Sequence, residues 1–170
     1  MTHSQSGQFG WTLGDENPDK IKAIVALEPT GPPFVDAVFV FNGTVSRPYG
    51  ITVTPVQYDP PLKSPDDLKK VIISSIPQGN YTCYKQAEPA RKLVNLAKIP
   101  IHMVSSESSF HAVYDPCTAN YLWQAGCNLD YTKLEDVGIH GNGHMMFMEK
   151  NNIEIAEKVI EKWLDEKFHP

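Results

Sequence analysis

Three short apolar runs constrain the fold more than any other feature of this sequence. They are residues 20–27, "KIKAIVAL", residues 98–104, "KIPIHMV", and residues 134–141, "LEDVGIHG". Runs of this length that are rich in Ile and Val are typical of strands buried on both faces of a sheet. Because segments with helical features separate them, the pattern predicts an α/β fold built from parallel strands with flanking helices.

Five segments between and after these runs predict helices. They are residues 5–13, 66–73, 88–97 and 119–125 and a C-terminal segment that follows residue 151. The last is the most regular, because its apolar residues recur at helical spacing with Glu and Lys between them. Asn151 and Glu154 have the spacing of a capping box, so Asn151 is predicted to cap this helix.

The segment from residue 29 to residue 79 interrupts the strand–helix pattern. It contains "GPP", "RPYG", "TPVQYDPP" and "SP", and this density of Pro and Gly excludes a long regular element. Its apolar content is too high for an exposed linker. We therefore expect one domain over residues 1–170, in which residues 29–79 form an inserted, lid-like excursion packed over the sheet.

Composition and charge exclude several classes of partner. The net charge is −5 and no long basic run occurs, which argues against nucleic acid. No apolar stretch reaches the roughly 20 residues that a membrane-spanning helix needs. The three cysteines form no CxxC pair, so neither a metal site nor a redox motif is indicated, and at least one thiol stays unpaired within one chain. The compartment is left open.

The opening stretch "THSQSG", residues 2–7, has the pattern of a nucleophile elbow. In such an elbow a serine lies on a tight strand-to-helix turn, which crowds the positions two residues on either side. Around Ser4 these positions hold Thr2 and Ser6, which are both small. Around Ser6 they hold Ser4 and the bulkier Gln8, so Ser4 is the better candidate for a nucleophile.

Candidates for a base and an acid follow the apolar runs. The loop "GIHGNGHMMFMEKNN" offers His140 and His144, and the two glycines before His144 favour it as the residue aimed back at the elbow. Glu28 directly follows the first run, at the predicted end of the strand, where a buried carboxylate is costly without a partner or a role. Glu107 follows the second run and is the alternative acid. Asp115 and Asp136 are weaker options.

Four stretches together resemble the C-terminal half of a group of microbial esterases within the α/β-hydrolase fold. They are "THSQSG", "ALEPTGPPF", "KIPIHMVSSESSFHAVYD" and "GIHGNGHMMFMEKNN", followed by an amphipathic helix. The resemblance implies Ser4 as nucleophile, Glu28 as acid and His144 as base. It also implies that the Gln5 N–H binds the oxyanion, together with a donor from a loop upstream of the elbow. Thr2 departs from the usual glycine two residues before the nucleophile.

The resemblance implies a serine carboxylic-ester hydrolase, or a C-terminal fragment of one, that acts on a small-molecule ester through an acyl-enzyme without a cofactor. The fold places five strands before the elbow, so we expect these N-terminal strands to be missing from this chain. The first strand would then leave an open sheet edge, which predicts self-association. The alternative is a non-catalytic hydrolase remnant that binds a ligand or a partner.

Overall fold

The computed structural model describes residues 1–38, 46–76 and 81–169. Its strands are β1 (Thr2–Ser4), β2 (Ile24–Pro29), β3 (Tyr58–Asp59), β4 (Lys70–Ile76), β5 (Tyr81–Gln86), β6 (Lys92–Leu93), β7 (Ile101–Ser105) and β8 (Leu129–Lys133). Its helices are α1 (Gly7–Glu16), α2 (Asp115–Gln124) and a C-terminal helix. That helix runs through α3 (Asn152–Ile155), a π-helical segment (Ala156–Glu161) and α4 (Lys162–Phe168).

A four-stranded parallel sheet with the order β1-β2-β7-β8 forms the centre of the molecule. Every residue of β2 and of β7 is buried, as expected for the inner strands of a parallel sheet that is covered on both faces. In the register, Ile24 lies opposite Ile101, which lies opposite Leu129. Within the described residues, β1 pairs with β2 alone and forms one edge of the sheet.

Alternate side chains of β2 enter two separate cores. Ile24 and Ala26 belong to the cluster that α1 and α2 cover, whereas Val25 and Leu27 belong to the cluster under the C-terminal helix. This division follows from the two-residue period of a strand, which sends successive side chains to opposite faces. The helices therefore cover both faces of the sheet, and the predicted α/β class is confirmed.

The first two predicted strands are confirmed, and the third is wrong. Residues 20–27 and 98–104 contain most of β2 and β7, although each strand begins three or four residues later than predicted. Residues 134–141 contain no strand, and the fourth strand of the sheet is β8, just before them. Leu134 and Ile139 are buried side chains of a 3₁₀ turn and a loop, so their apolar character comes from packing in the core under the C-terminal helix.

Two of the predicted helices are absent. Residues 66–73 contain the end of a 3₁₀ turn and then β4, which pairs with β5 in an antiparallel hairpin. Residues 88–97 contain β6 and the start of another 3₁₀ turn. The helix predicted at 119–125 is α2, which begins earlier, at Asp115, and the helix predicted at 5–13 is α1.

The C-terminal helix is confirmed, but its predicted cap is wrong. Asn151 precedes α3 and makes no side-chain capping hydrogen bond. Its amide is instead paired with the amide of Asn142, through hydrogen bonds of 2.7 and 3.0 Å in the two directions. Because one side chain cannot face both the helix N-terminus and Asn142, the local capping pattern is overridden by a tertiary contact.

The segment 29–79 contains β3 and β4, and both pair with strands that follow it in sequence. Residues 39–45 and 77–79 of this segment lie outside the described residues. A disulfide between Cys83 and Cys117 joins β5 to α2, and Cys127 is a free, buried thiol. The single domain and its lid-like excursion remain predictions. No helix in the described part of the chain is long and apolar enough to cross a membrane.

Candidate active site

The opening turn has the backbone of a nucleophile elbow. Ser4 ends β1 with a φ of 53°, and α1 begins three residues later, at Gly7. A positive φ is strained for a residue with a side chain, and such residues concentrate at functional sites. The Ser6 N–H donates to the carbonyl of His3 across 3.0 Å and closes the turn. The short strand and the helix thus present Ser4 at the carboxyl end of the sheet.

The hydroxyl of Ser6 is committed to this turn. It donates to the carbonyl oxygen of His3 at 2.7 Å and accepts from the His3 N–H at 2.9 Å. Ser4 lies on the wall of a cavity, and its hydroxyl has no hydrogen-bond partner among the described residues. A hydroxyl that holds a turn is poorly placed to attack a substrate, so the geometry favours Ser4 over Ser6.

Thr2 occupies the position two residues before Ser4, the candidate nucleophile. Its side chain packs against Gly10 of α1, which has no Cβ. A Cβ added at Gly10 would lie 2.9 Å from the Thr2 methyl carbon. A Cβ at Gly7 would lie 2.5 Å from the Pro29 Cβ. The two glycines therefore let α1 approach β1 and β2 closely, and the missing glycine at position 2 is compensated from the helix.

Glu28 is a fully buried carboxylate at the end of β2. Its φ is 42°, so a second residue with strained backbone lies beside the elbow. Its two oxygens accept hydrogen bonds from the Ser106 N–H at 2.8 Å, from the Ser109 hydroxyl at 2.7 Å and from His144 Nδ1 at 2.5 Å. A carboxylate without water needs such donors, and these three satisfy it.

His144 lies among three aromatic side chains. Its ring centroid lies 4.4 Å from that of His3, 4.6 Å from that of His111 and 4.7 Å from that of Phe110. The bond from Nδ1 to Glu28 assigns the proton to Nδ1 and leaves Nε2 as the basic nitrogen. His144 also lines the cavity that Ser4 lines. The structure thus brings Ser4, Glu28 and His144 to one place.

The other candidate acids do not bind His144. Glu107 accepts hydrogen bonds from His140 Nδ1 at 3.2 Å and from the Gly141 N–H at 2.9 Å. The side chains of Glu107 and His140 are 43% and 63% exposed.

Asp136 is exposed in the 3₁₀ turn that follows β8. Asp115 is buried but binds His111 rather than His144. Glu28 alone among these carboxylates contacts His144 within the described residues.

A second histidine–carboxylate pair, which was not predicted from the sequence, adjoins the site. His111 Nδ1 lies 3.0 Å from Asp115, which accepts a further bond from the Ser105 hydroxyl at 2.6 Å. Burial lowers the pKa of His111 to about 4 and raises the pKa of Asp115. The rings of His111 and His144 lie 5° from parallel. Because the pKa of His111 is low, this neighbour of His144 is a neutral ring at ordinary pH. The available signal was the four-residue spacing of His111 and Asp115.

Glu28, His111 and His144 form a cluster of possible metal ligands, with donor atoms within 4.8 Å of one another. The lone pairs of an imidazole lie in the plane of its ring. Because the two rings are stacked nearly parallel at 4.6 Å, their lone pairs do not converge on a single point. Glu28 also lies too close to His144 Nδ1 for an ion to fit between them. The arrangement suits proton transfer better than metal ligation.

The Gln5 N–H is the donor nearest in sequence to Ser4 that the turn leaves free. Gln5 is exposed, lies between β1 and α1 and lines the cavity with Ser4 and His144. No described residue accepts a hydrogen bond from its N–H. A free N–H just after a nucleophile is the usual first donor of an oxyanion hole.

The cavity beside Ser4 has a volume of about 600 Å³. Its apolar wall is formed by Val38, Val53, Phe110, Tyr114 and Met145. Asp36, Ser46 and the buried Arg47 form a polar part of the wall. Arg47 donates to the carbonyls of Pro32 and Val35, and burial lowers its pKa to about 10. A mainly apolar cavity with a few polar groups is typical of sites for small organic molecules.

No family model matches the chain. Over 168 residues it is 48% identical to a probable secreted lipase, phiG, from a fungus (Fungal sp., strain ATCC 74256). The match covers 98% of this chain and 45% of the lipase, so the chain spans less than half the length of this curated relative.

A solved structure, described as that of a novel bacterial esterase, has the same fold over 97% of this chain and 36% of the esterase. The TM-score is 0.54 and the identity is 22%, so this likeness concerns the fold alone. The similarity to the lipase confirms the predicted resemblance to an esterase-like protein. The likeness to the solved structure confirms the partial α/β fold.

Proposed function

We propose that this chain is part or all of a serine carboxylic-ester hydrolase with the triad Ser4, Glu28 and His144. One observation carries the proposal: a fully buried carboxylate and a histidine 116 residues away meet at 2.5 Å beside a strained serine on a strand-to-helix turn. Strained backbone and a buried polar pair are both costly, and their coincidence at one cavity favours a catalytic role. The similarity to a probable lipase also supports ester hydrolysis as the reaction.

In the proposed acylation step, Ser4 Oγ attacks the carbonyl carbon of the ester. The hydroxyl proton moves to His144 Nε2, and Nδ1–H remains bonded to Glu28, whose negative charge stabilises the imidazolium. His144 then gives the proton to the departing alcohol as the ester C–O bond breaks. The products of this step are an acyl-Ser4 ester and a free alcohol.

In the proposed deacylation step, water attacks the acyl carbon and His144 Nε2 accepts its proton. The Ser4 oxygen leaves and recovers a proton from His144, and the carboxylic acid departs. The Gln5 N–H stabilises the oxyanion in both steps, and one such donor typically contributes a hundredfold to a thousandfold in turnover. The neutral His111 ring beside His144 suits this cycle, because a second cation there would oppose the imidazolium.

The cavity supports an ester with an apolar acyl or alcohol group as the substrate. Val53, Phe110 and Met145 lie on its wall and remain 53%, 48% and 45% exposed, so apolar surface is available to a ligand. The Cys83–Cys117 disulfide supports an oxidising compartment for the protein, since such bonds are rare in the cytosol.

The test is hydrolysis of p-nitrophenyl esters of increasing acyl length, by residues 1–170 or by a longer form that contains them. We expect turnover that Ser4→Ala lowers at least about a thousandfold, as loss of a triad nucleophile does. Asp136→Asn is the matched control, because Asp136 is exposed and outside the site. Equal turnover by the wild type and by Ser4→Ala would rule out the mechanism. Ester binding without any turnover would favour a binding module.

A further inference from the structure

Three polar side chains hold the loop that carries His144. Asn142, Glu149 and Asn151 surround the backbone just before His144, and we call them the loop clamp. Asn142 is 1% exposed although its side chain is an amide. A buried amide is costly unless its donors and acceptor are satisfied, so its contacts account for its position.

The amide of Asn142 uses all of its polar atoms within the loop clamp. Its Nδ2 donates to Glu149 Oε2 at 2.5 Å and to Asn151 Oδ1 at 2.7 Å. Its Oδ1 accepts from Asn151 Nδ2 at 3.0 Å, which closes a reciprocal amide pair. The other oxygen of Glu149 accepts from the Gly143 N–H at 2.8 Å. Hydrogen bonds to a carboxylate are roughly twice as strong as neutral ones, so Glu149 is the centre of the clamp.

The clamp also joins the loop of His144 to the loop that supports Glu28. The backbone carbonyl of Asn142 accepts from the Ser108 N–H at 2.9 Å. The next residue, Ser109, donates its hydroxyl to Glu28, and the Ser106 N–H donates to the other oxygen of Glu28. A shift of Asn142 would therefore disturb both the loop of His144 and the loop that donates hydrogen bonds to Glu28.

We propose that Glu149 is a positioning residue that, through Asn142 and Gly143, fixes the place of His144 relative to Ser4. The inference rests on the proposed function, because it concerns the geometry of the proposed base. Glycines precede and follow Asn142, and Gly141 has a φ of 81°, so the backbone of this loop has little stiffness of its own. A displacement of about 1 Å in a catalytic group can lower turnover about a hundredfold.

The experiment is an exchange of carboxylate and amide within the clamp. Glu149→Gln removes the carboxylate and points an amide at an amide, whereas Asn142→Asp brings two carboxylates together. The double variant Asn142→Asp/Glu149→Gln restores one carboxylate and one amide with their positions exchanged. Glu154→Gln is the matched control, because Glu154 forms an exposed pair with Lys158 at 2.7 Å outside the clamp.

We expect kcat to fall about tenfold to a hundredfold in each single variant, with a much smaller change in KM. The double variant is expected to recover part of the loss of Asn142→Asp, about tenfold, because the contact between positions 142 and 149 is restored whereas the donation to Asn151 Oδ1 is not. Glu154→Gln is expected to match the wild type. The NMR signal of the His144 Nδ1–H proton provides a readout that needs no turnover, and we expect it to broaden or shift in the single variants and to return in the double variant.

Wild-type kcat in both single variants, or an unchanged Nδ1–H signal in both, would overturn the positioning role. So would a loss in proportion to melting temperature with no recovery in the double variant, which is the behaviour of a merely structural contact. A failure of the proposed function has a different signature. In that case Ser4→Ala leaves turnover unchanged, or turnover is absent, while the Nδ1–H signal still reports on the clamp.

Discussion

The carboxylate of Glu28 accepts a hydrogen bond from His144 Nδ1 across 2.5 Å, although 116 residues separate the two in sequence. Glu28 ends β2, an inner strand of the sheet, and His144 follows the 3₁₀ turn and loop beyond β8, the far edge strand. The bond therefore depends on the order of strands in the sheet and on the loop that returns across its carboxyl end. Two elements of the chain that are remote in sequence supply one proposed acid–base pair.

The two candidate acids are separated by their carboxamide variants. Glu28→Gln is expected to lower turnover about a thousandfold or more, because a neutral amide cannot stabilise the imidazolium of His144. Glu107→Gln is expected to stay within about twofold of the wild type, as exposed substitutions usually do. The measurement is kcat/KM for one p-nitrophenyl ester. A larger loss at Glu107 would assign the acid to the loop after β7.

The two serines of the elbow are expected to have different effects. Ser6→Ala removes two hydrogen bonds to His3 and is expected to lower the free energy of unfolding by about 1 kcal/mol, with most turnover retained. Ser4→Ala is expected to abolish turnover without a comparable loss of stability. Denaturant titration and ester hydrolysis of both variants check this. Loss of turnover at Ser6 alone would exchange the two roles.

The inner strands of the sheet could be predicted from sequence because burial on both faces makes them continuously apolar. β2 and β7 carry Ile24, Val25 and Ile101 in such runs, whereas the edge strand β8 reads "LDYTK" and has only Leu129 buried. An edge strand needs apolar residues at few positions. The run 134–141, which contains the buried loop residue Ile139, therefore resembled a strand more than the sequence of β8 did.

Spacing misled at β4, where Leu68, Val71 and Ile72 follow a helical period. Val71 and Ile72 are 40% and 63% exposed on an antiparallel hairpin, so burial does not explain their spacing. The strand is selected instead by pairing with β5, which the disulfide of Cys83 holds against α2. Pairing between two strands of this kind leaves no periodic signal in the sequence of either strand alone.

Only some residues of the candidate site could be predicted from the sequence. Ser4 could be proposed from the small residues around it, Glu28 and His144 from their places after predicted strands, and all three from the resemblance to esterases. His111 and Glu149 could not, because their roles depend on a ring stack and on a loop that folds back on itself. Side chains that support a site are selected by tertiary contacts, and the local sequence around them carries no signal of those contacts.

Stability is expected to fall as the pH is lowered from 7 to 5, in part through His102. This residue is 1% exposed, lies between Thr132 and the ring of Trp163, and is near the charges of Asp130 and Lys167. Burial lowers its pKa to about 4, against 6.5 for an ordinary histidine. Between these values the unfolded chain binds the extra proton, so stability present above pH 6.5 is lost towards pH 4.

For His102 alone, the loss between pH 7 and pH 5 is expected to be about 2 kcal/mol. Urea titrations of the wild type and of His102→Gln at both pH values measure it, since Gln keeps a polar group near Thr132 but does not titrate. The pH dependence of the variant is expected to be smaller by that amount. Identical pH dependence in the two proteins would show that His102 does not contribute.

The prediction that the first apolar strand leaves an open edge is wrong, because β2 pairs with both β1 and β7 and the edge is β1. Self-association of residues 1–170 is still expected, through the open edge of β1. In the described part of the structure β1 pairs with β2 on one side only, and unpaired N–H and C=O groups of an edge strand recruit other strands. The measurement is light scattering coupled to size exclusion, over roughly a hundredfold range of protein concentration so that weak dimers are detected. A monomer at every concentration would show that this edge is protected.

The most direct test of the triad is site mapping of a covalent fluorophosphonate adduct by mass spectrometry. A phosphonylating probe reacts with a serine only where a base and an oxyanion donor activate it. We predict a single adduct on the peptide that contains Ser4, absent in Ser4→Ala, and formed far more slowly in His144→Gln and in Glu28→Gln. An adduct on Ser6, or labelling at an equal rate in the wild type and in His144→Gln, would contradict the assignment of Ser4, Glu28 and His144.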